Sequence, residues 1–292
     1  MAHGTTVSSA CLGLVGAGVG LAVYLNRVRW DRKTLRLVEE LKHPDSAQGT
    51  KQETTKVTFG GFNQLPEPVA KYLRLALTEG QPLIRSARIR QAGKLRSPER
   101  QRAGWMPFMA VQSFSALRPG FVWDAQIRAS LLMPVRVRDA YVAGQGAGQV
   151  SAFSLVTLAD EHGGAELAKG ELLRYLAESV WFPTALLPSP RLAWSPMDGN
   201  TARATLTDAG TTVSLDFRFN DVGEVISVYT PGRPRAVGGG YELTPWGGRH
   251  WSYEERDGMR VPTEAEVEWH LPDGVCCVFR GKTVEAEYDY LA

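Results

Sequence analysis

The rhythm of apolar and polar positions changes three times along the chain. Val7 to Leu25 carries no charge over 19 residues, and at 1.5 Å per residue such a run makes roughly 28 Å of helix, close to the hydrocarbon thickness of a bilayer. The pattern predicts a single transmembrane helix over 7–25, after a tail of residues 1–6. No basic stretch precedes it and no small-x-small site follows, so a cleaved signal peptide is not expected. From Asp31 to Leu41, residues Leu35, Val38 and Leu41 recur at helical spacing with Leu37 alongside, until Pro44 ends the run. This predicts a short amphipathic helix at the membrane surface. His43 to Thr58 is polar and aperiodic, the pattern of a linker. Leu65 to Thr78 opens with Pro66 and Pro68 and sets Val69, Leu73, Ala76 and Leu77 on one face of a second helix.

After Pro82 the period becomes two, punctuated by Gly, Pro and Asp-Gly turns. Strands are predicted over 111–117, 121–128, 135–142, 202–207, 213–219, 224–229, 241–243, 250–255, 264–270, 275–280 and 284–290, and the short turns between them require a largely antiparallel sheet. One helical stretch interrupts them: Gly170 to Phe182, with Leu172, Leu173, Leu176 and Val180 on its apolar face and Pro183 as its stop. A long antiparallel sheet buries its apolar face most simply by curling around that helix. The predicted fold class is therefore mainly β (α+β), a large curved antiparallel sheet or half-barrel packed on a central helix, preceded by one N-terminal transmembrane helix. The chain divides into the tail, the span, a basic juxtamembrane helix and linker over 26–63, and a helix-plus-sheet domain over 64–292. A hydrophobic cleft between helix and sheet is the natural place for a ligand.

Charge sharpens this picture in two places. With 33 Lys and Arg against 31 Asp and Glu among 292 residues, the balance excludes a global nucleic-acid-binding surface, and three cysteines exclude a disulfide scaffold. The cations Arg27, Arg29, Arg32 and Lys33, with Trp30 among them as an interfacial anchor, follow the apolar run directly. By the positive-inside rule they place the following domain in the cytoplasm of a single-pass membrane protein. Gly16 and Gly20 form a GxxxG pair at which a second helix could approach. Further on, Arg85, Arg88, Arg90, Lys94, Arg96, Arg100 and Arg102 face only Glu99, whereas residues 250–292 hold ten acids against four Lys and Arg. Arg88 and Arg90 thus join the juxtamembrane cations as candidate contacts to anionic membrane lipid, at ~1 kcal/mol per cation. A plain solvated face is the alternative.

GELLRYLAESVWFPTALLP (Gly170 to Pro188), LPEPVAKYLRLAL (Leu65 to Leu77), TPW (Thr244 to Trp246) and DGMRVPTEAEVEW (Asp257 to Trp269) resemble the wording of a widespread bacterial family of uncharacterised proteins. The resemblance covers most of residues 64–292 and carries no activity with it. The fold it implies is similar to the half-barrel of the outer-membrane lipoprotein carriers, in which a curved antiparallel sheet holds a lipid chain against a helical lid.

Candidate chemistry is sparse. Glu171, Arg174, Tyr175 and Glu178 line the helix face opposite the leucines. They read either as a solvated stripe with internal pairing, the plainer reading, or as a polar site if that face looks into the cleft. Glu264, Glu266, Glu268 and His270 share one strand face, as do Glu285, Glu287 and Asp289. Alternation of this kind is what a half-exposed antiparallel strand shows. Gly144, Gly146 and Gly148 lack the third glycine position of a dinucleotide fingerprint and read as a hairpin. No metal or cofactor is implied. The leading expectation is a membrane-anchored, non-enzymatic protein holding a lipid or other apolar ligand, with Glu171, Arg174, Tyr175, Trp181, Trp246 and Trp269 as ligand-binding residues. Two alternatives stand beside it: a hydrolase or isomerase using Glu171 or Glu178 with His270, and a ligand-free interaction scaffold whose concave face is filled by those tryptophans.

Overall fold

The computed structural model describes residues 6–42, 55–98, 104–130 and 133–292. The start of the tail, most of the linker, and Arg100 and Arg102 of the basic patch lie outside the described residues. Among the described residues three α-helices occur, α1 (Thr6–Lys42), α2 (Glu67–Ala76) and α3 (Ala165–Glu178). Six strands precede α3: β1 (Ile84–Leu95), β2 (Met106–Ser115), β3 (Gly120–Ser130), β4 (Met133–Val142), β5 (Gln145–Ala152) and β6 (Val156–His162). Seven follow it: β7 (Leu192–Asp198), β8 (Thr201–Asp208), β9 (Thr211–Phe219), β10 (Val225–Val237), β11 (Gly240–Arg256), β12 (Met259–Leu271) and β13 (Gly274–Tyr290).

All thirteen strands form one antiparallel sheet in the order β6-β5-β4-β3-β2-β1-β13-β12-β11-β10-β9-β8-β7. Each half is a meander, and the halves are sewn together where β1 pairs with β13. The strands on either side of α3, β6 and β7, are therefore the two outer edges. Laid flat, thirteen strands at ~4.8 Å spacing would hold those edges roughly 58 Å apart. Strand twist and bulges, such as the register shift between Thr230 and Arg233 in β10, curl the sheet so that the connection crosses its hollow. Accordingly, α3 packs on β3, β4 and β5 to one side and on β9 and β10 to the other. The approach to β5 is close enough that a Cβ on Gly146 would lie 2.8 Å from the Leu167 backbone.

Phe114, Phe121, Tyr141, Phe217 and Leu215 point inward and form one continuous core with Leu172, Leu173, Leu176 and Val180 of α3. α2 has Pro66 at its N-cap, sits on β8 and β12, and presses Tyr72 against Phe219. The strands expected in the C-terminal half are all present, but two pairs of them are single 17-residue strands, β11 and β13.

The expected membrane-spanning helix is overturned. Among the described residues no helix is long and apolar enough to cross a membrane. The two helices read from the sequence are one, 37 residues long and continuous through the cationic segment. Its second half is docked on the outer face of the sheet. Leu41 is buried against Val122, Ala140 and Val142, and Trp30, instead of meeting a bilayer interface, is buried between the Arg136 and Arg138 guanidinium groups, 5.2 and 4.3 Å from its ring. Its Nε1 donates to Asp124 Oδ2 at 3.0 Å. The single-pass, cytoplasmic-domain placement loses its basis with the span. Arg27, Arg29, Arg32 and Lys33 remain exposed along the helix, Gly20 faces open space, and the surroundings of Gly16 lie outside the described residues.

Candidate functional site

Because α3 lies in a hollow, its polar stripe is largely buried as well, Glu171 and Tyr175 fully and Arg174 and Glu178 in part. Arg174 donates from Nη1 to Asp139 Oδ2 of β4 at 2.7 Å and from Nε to Glu178 Oε1, one turn on, at 2.9 Å. Glu178 also accepts from Gln112 Nε2 of β2 at 2.7 Å. The guanidinium lies about 5 Å above the rings of Phe121 and Trp123. Burial alone would lower the Arg174 pKa, but Glu178 and Asp139 outweigh it and hold the group charged. In this half of the stripe Arg174 is paired with both Asp139 and Glu178.

The other half is not closed. Glu171 Oε1 faces Arg233 Nη2 of β10 at 3.7 Å, an ion-pair distance longer than a hydrogen bond. Arg233 arrives there through the Pro231-Gly232 bulge, and its guanidinium stacks over Trp246 at 4.5 Å and Trp269 at 5.5 Å. Burial, helped by Asp139 and opposed by Arg233, pushes the Glu171 carboxyl up to about 7. Burial likewise lowers Arg233 despite the attraction of Glu171. Both partners thus lose more by desolvation than the long contact returns. Burial also pushes His250 of β11 down to about 4, so it is neutral at pH 7. Its ring stands edge-on to Trp181, 6.5 Å between centroids.

These groups line a cavity of about 310 Å³ between α3 and the sheet, whose remaining wall includes Trp123, Ile127, Val137, Val228 and Phe279. Five polar atoms on residues of the lining, Glu171 Oε2, Arg233 Nε, Trp181 Nε1, Trp246 Nε1 and His250 Nδ1, are buried with no hydrogen-bond partner among the described residues. Each such atom costs about 1–3 kcal/mol, and native folds keep them to a few per hundred residues, so five around one cavity is a local concentration. A larger concavity of about 1100 Å³ lies outside, between α1 and β1–β2, but its walls are largely paired charges and exposed side chains.

The residues singled out from sequence separate clearly. Glu171, Arg174, Glu178, Trp181 and Trp246 come together at the cavity. Trp269 backs Arg233. Tyr175 turns away from the cavity and donates to Ser115 O at 3.0 Å, a packing role in which burial raises its pKa. His270 lies on the opposite face of the sheet, 3.3 Å from Glu268 and beside the Tyr229 ring. It does not meet Glu171 or Glu178, so the acid–base pair considered from sequence is not assembled. Arg88 and Arg90 pair with Glu287 and Glu285 at 3.3 and 3.2 Å, because β1 and β13 are neighbours. The charge separation read along the chain thereby closes on itself. Among the described residues no three His, Cys, Asp or Glu side chains are placed to hold a metal ion.

Arg233 and His250 escaped the sequence reading. Trp246, Gly248 and His250 share one face by strict alternation, a signal that marked His250 as a companion of Trp246. Arg233 follows a Pro-Gly bulge and gives no such signal.

A curled antiparallel sheet plugged by a helix, with a part-polar cavity left between them, defines a β half-barrel. The chain belongs to the family of unknown function DUF6544, whose model matches residues 55–281. No curated protein matches it. Among solved structures, it is similar to a LolA superfamily protein, NE2245, from Nitrosomonas europaea, with 11% identity, 78% of this chain and 95% of that one covered, and a TM-score of 0.43. It is also similar to a DUF1329 family protein from Desulfovibrio piger, with 9% identity, 80% and 94% covered, and a TM-score of 0.39.

Proposed function

We propose that the protein holds an amphiphile, with the apolar body against Ile127, Val137, Val228 and Phe279 and the polar end at Glu171 and Arg233. The observation that carries this reading is the cavity itself, an apolar-walled pocket among whose lining residues five buried polar atoms have no hydrogen-bond partner among the described residues. Pockets that bind small molecules have this make-up, mostly apolar with a few placed polar groups. Of the tryptophans expected to fill the concave face of a ligand-free scaffold, Trp181 and Trp246 instead border a space. Purified full-length protein, extracted with organic solvent and examined by mass spectrometry, is expected to release a copurifying amphiphile. It is also expected to enhance the fluorescence of the uncharged probe N-phenyl-1-naphthylamine. Ala265 is a small buried residue of the wall, and Ala265→Phe fills the cavity and is expected to weaken probe uptake at least about tenfold while leaving thermal unfolding cooperative. An empty extract together with probe uptake indifferent to Ala265→Phe overturns the reading.

A further inference from the structure

Most of the unpartnered polar atoms on the residues that line the cavity can only donate. Arg233 Nε, Trp181 Nε1 and Trp246 Nε1 carry hydrogens and no lone pair, whereas Glu171 Oε2 accepts when ionised and donates when protonated. The head group that answers three donors is rich in acceptors. Charge points the same way. Arg174 is committed to two carboxylates, Asp139 and Glu178, whereas among the described residues Arg233 forms an ion pair only with Glu171, and at 3.7 Å. Its stacking on Trp246 leaves the edge of the guanidinium, where the donors lie, as the part that can meet a ligand.

We propose that the polar end of the ligand is a carboxylate, as in a free fatty acid, received by Arg233 and the indole N–H of Trp246, and that Glu171 carries a proton in the complex. This rests on the amphiphile reading above and gives it a chemical class. An ionised Glu171 beside a ligand carboxylate would place two like charges on one guanidinium in a desolvated site, so one of the two must be neutral. The groups facing Glu171 are Asp139 of β4, Arg174 and Glu178 of α3, and Arg233 of β10, with His250 of β11 on the same cavity. His250 stays neutral throughout the relevant range. Glu171 is already pushed up to about 7 in the free protein, and a second carboxylate moves it higher. Binding above pH 7 therefore takes up a proton from solvent, and the affinity falls as pH rises. Below pH 7 the proton is already present and the affinity is flat.

Calorimetric titration of the full chain with submicellar dodecanoate, 1-dodecanol and dodecyltrimethylammonium, at about pH 6 and about pH 8.5, tests this. Dodecanoate is expected to bind at least about tenfold tighter than dodecanol at the lower pH. It should weaken by about tenfold per unit only above pH 7, roughly 30-fold by pH 8.5, with dodecanol unchanged. Glu171→Gln should make dodecanoate binding independent of pH, and Arg233→Gln should abolish the preference for dodecanoate while keeping dodecanol binding. Dodecanol or the ammonium binding as well as dodecanoate, or Glu171→Gln retaining the wild-type pH dependence, overturns the acid class and leaves the amphiphile reading standing. Failure of all three probes overturns both. Should Arg233→Gln not fold, the head-group series on the unaltered protein and the Glu171→Gln profile decide between these outcomes.

Discussion

Glu171 and His250 border one cavity and are displaced from their ordinary pKa values in opposite directions, which gives them opposite signatures in stability. Glu171 is raised from 4.5 to about 7. The folded state therefore binds its proton more tightly than the unfolded chain, so its contribution is fully present below about pH 4.5 and is lost as pH rises through 7. His250 is lowered from 6.5 to about 4; its contribution is present above about pH 6.5 and is lost as pH falls toward 4. In the unaltered protein the two trends offset one another over the same window. Glu171→Gln should gain stability relative to the parent between pH 4 and pH 8, by about 3 kcal/mol across that range, whereas His250→Asn should gain relative to the parent as pH falls. Denaturant midpoints at a series of pH values check this, and parallel profiles for parent and both variants would contradict it. At this scale the sequence was partly legible. It offered Glu171 as one of two readings of a helix stripe, because i, i+3, i+4 spacing shows which side chains share a face but not whether that face meets water. What decides the matter is the second wall, built by β10 and β11 from residues some sixty to eighty positions away in the chain.

Helices and strands were legible wherever period and punctuation agreed, as in α2, α3 and the hairpins of the C-terminal meander. β1 was passed over because its outward arginines dominate the pattern, while its inward Ala87, Ile89 and Gln91 carry the burial. β11 and β13 were split because Gly247-Gly248 and Gly281 look like turns, although Gly247 and Gly248 instead permit close strand packing and Gly281 makes room for the Phe279 ring; a Cβ on Gly247 would sit 2.8 Å from Val228 O. The largest departure is α1. Its apolar first half and cationic second half match the pattern of a span with its flank, and the residues that hold its second half are strand positions indistinguishable from ordinary solvent-facing ones. Asp124 accepts from both Trp30 Nε1 and Thr34 Oγ1, and Arg136 donates to Asp31 Oδ1 at 2.6 Å. This latch lies outside the main core, so Trp30→Ala should release the helix without unfolding the sheet. Hydrogen exchange over residues 26–42 should accelerate strongly, while the main unfolding transition drops by only about 1–2 kcal/mol. A collapse of the whole transition would instead make α1 part of the same cooperative unit as the sheet.

The shape of the whole molecule depends on the arms of the sheet being held together around α3, since a strand order that puts β6 and β7 at opposite edges leaves no ladder to close the curl. Side chains and turns supply that closure. Tyr141 of β4 donates to Asp208 of β8 at 3.1 Å, where Arg118 also reaches the same carboxylate at 3.5 Å. Tyr241 of β11 donates to Glu161 of β6 at 3.0 Å. The β4–β5 turn presses so closely on the β8–β9 turn that a Cβ on Gly144, at φ 81°, would come within 2.3 Å of Ala209 Cβ. None of this is legible in strand periodicity, because each contact joins meanders that the chain visits far apart. The Tyr141–Asp208 contact is buried at both ends, so either change removes a buried charge-assisted hydrogen bond, although Arg118 still faces Asp208. Tyr141→Phe and Asp208→Asn should each cost about 1–3 kcal/mol, and the double variant should cost less than their sum by about 1 kcal/mol, the signature of a direct contact in a double-mutant cycle. Since the same closure holds α3 over the cavity, Tyr141→Phe should also speed release of bound dodecanoate in stopped-flow displacement, even though Tyr141 is absent from the cavity wall. Additive stabilities with unchanged release would mean that the arms stay together through the core alone.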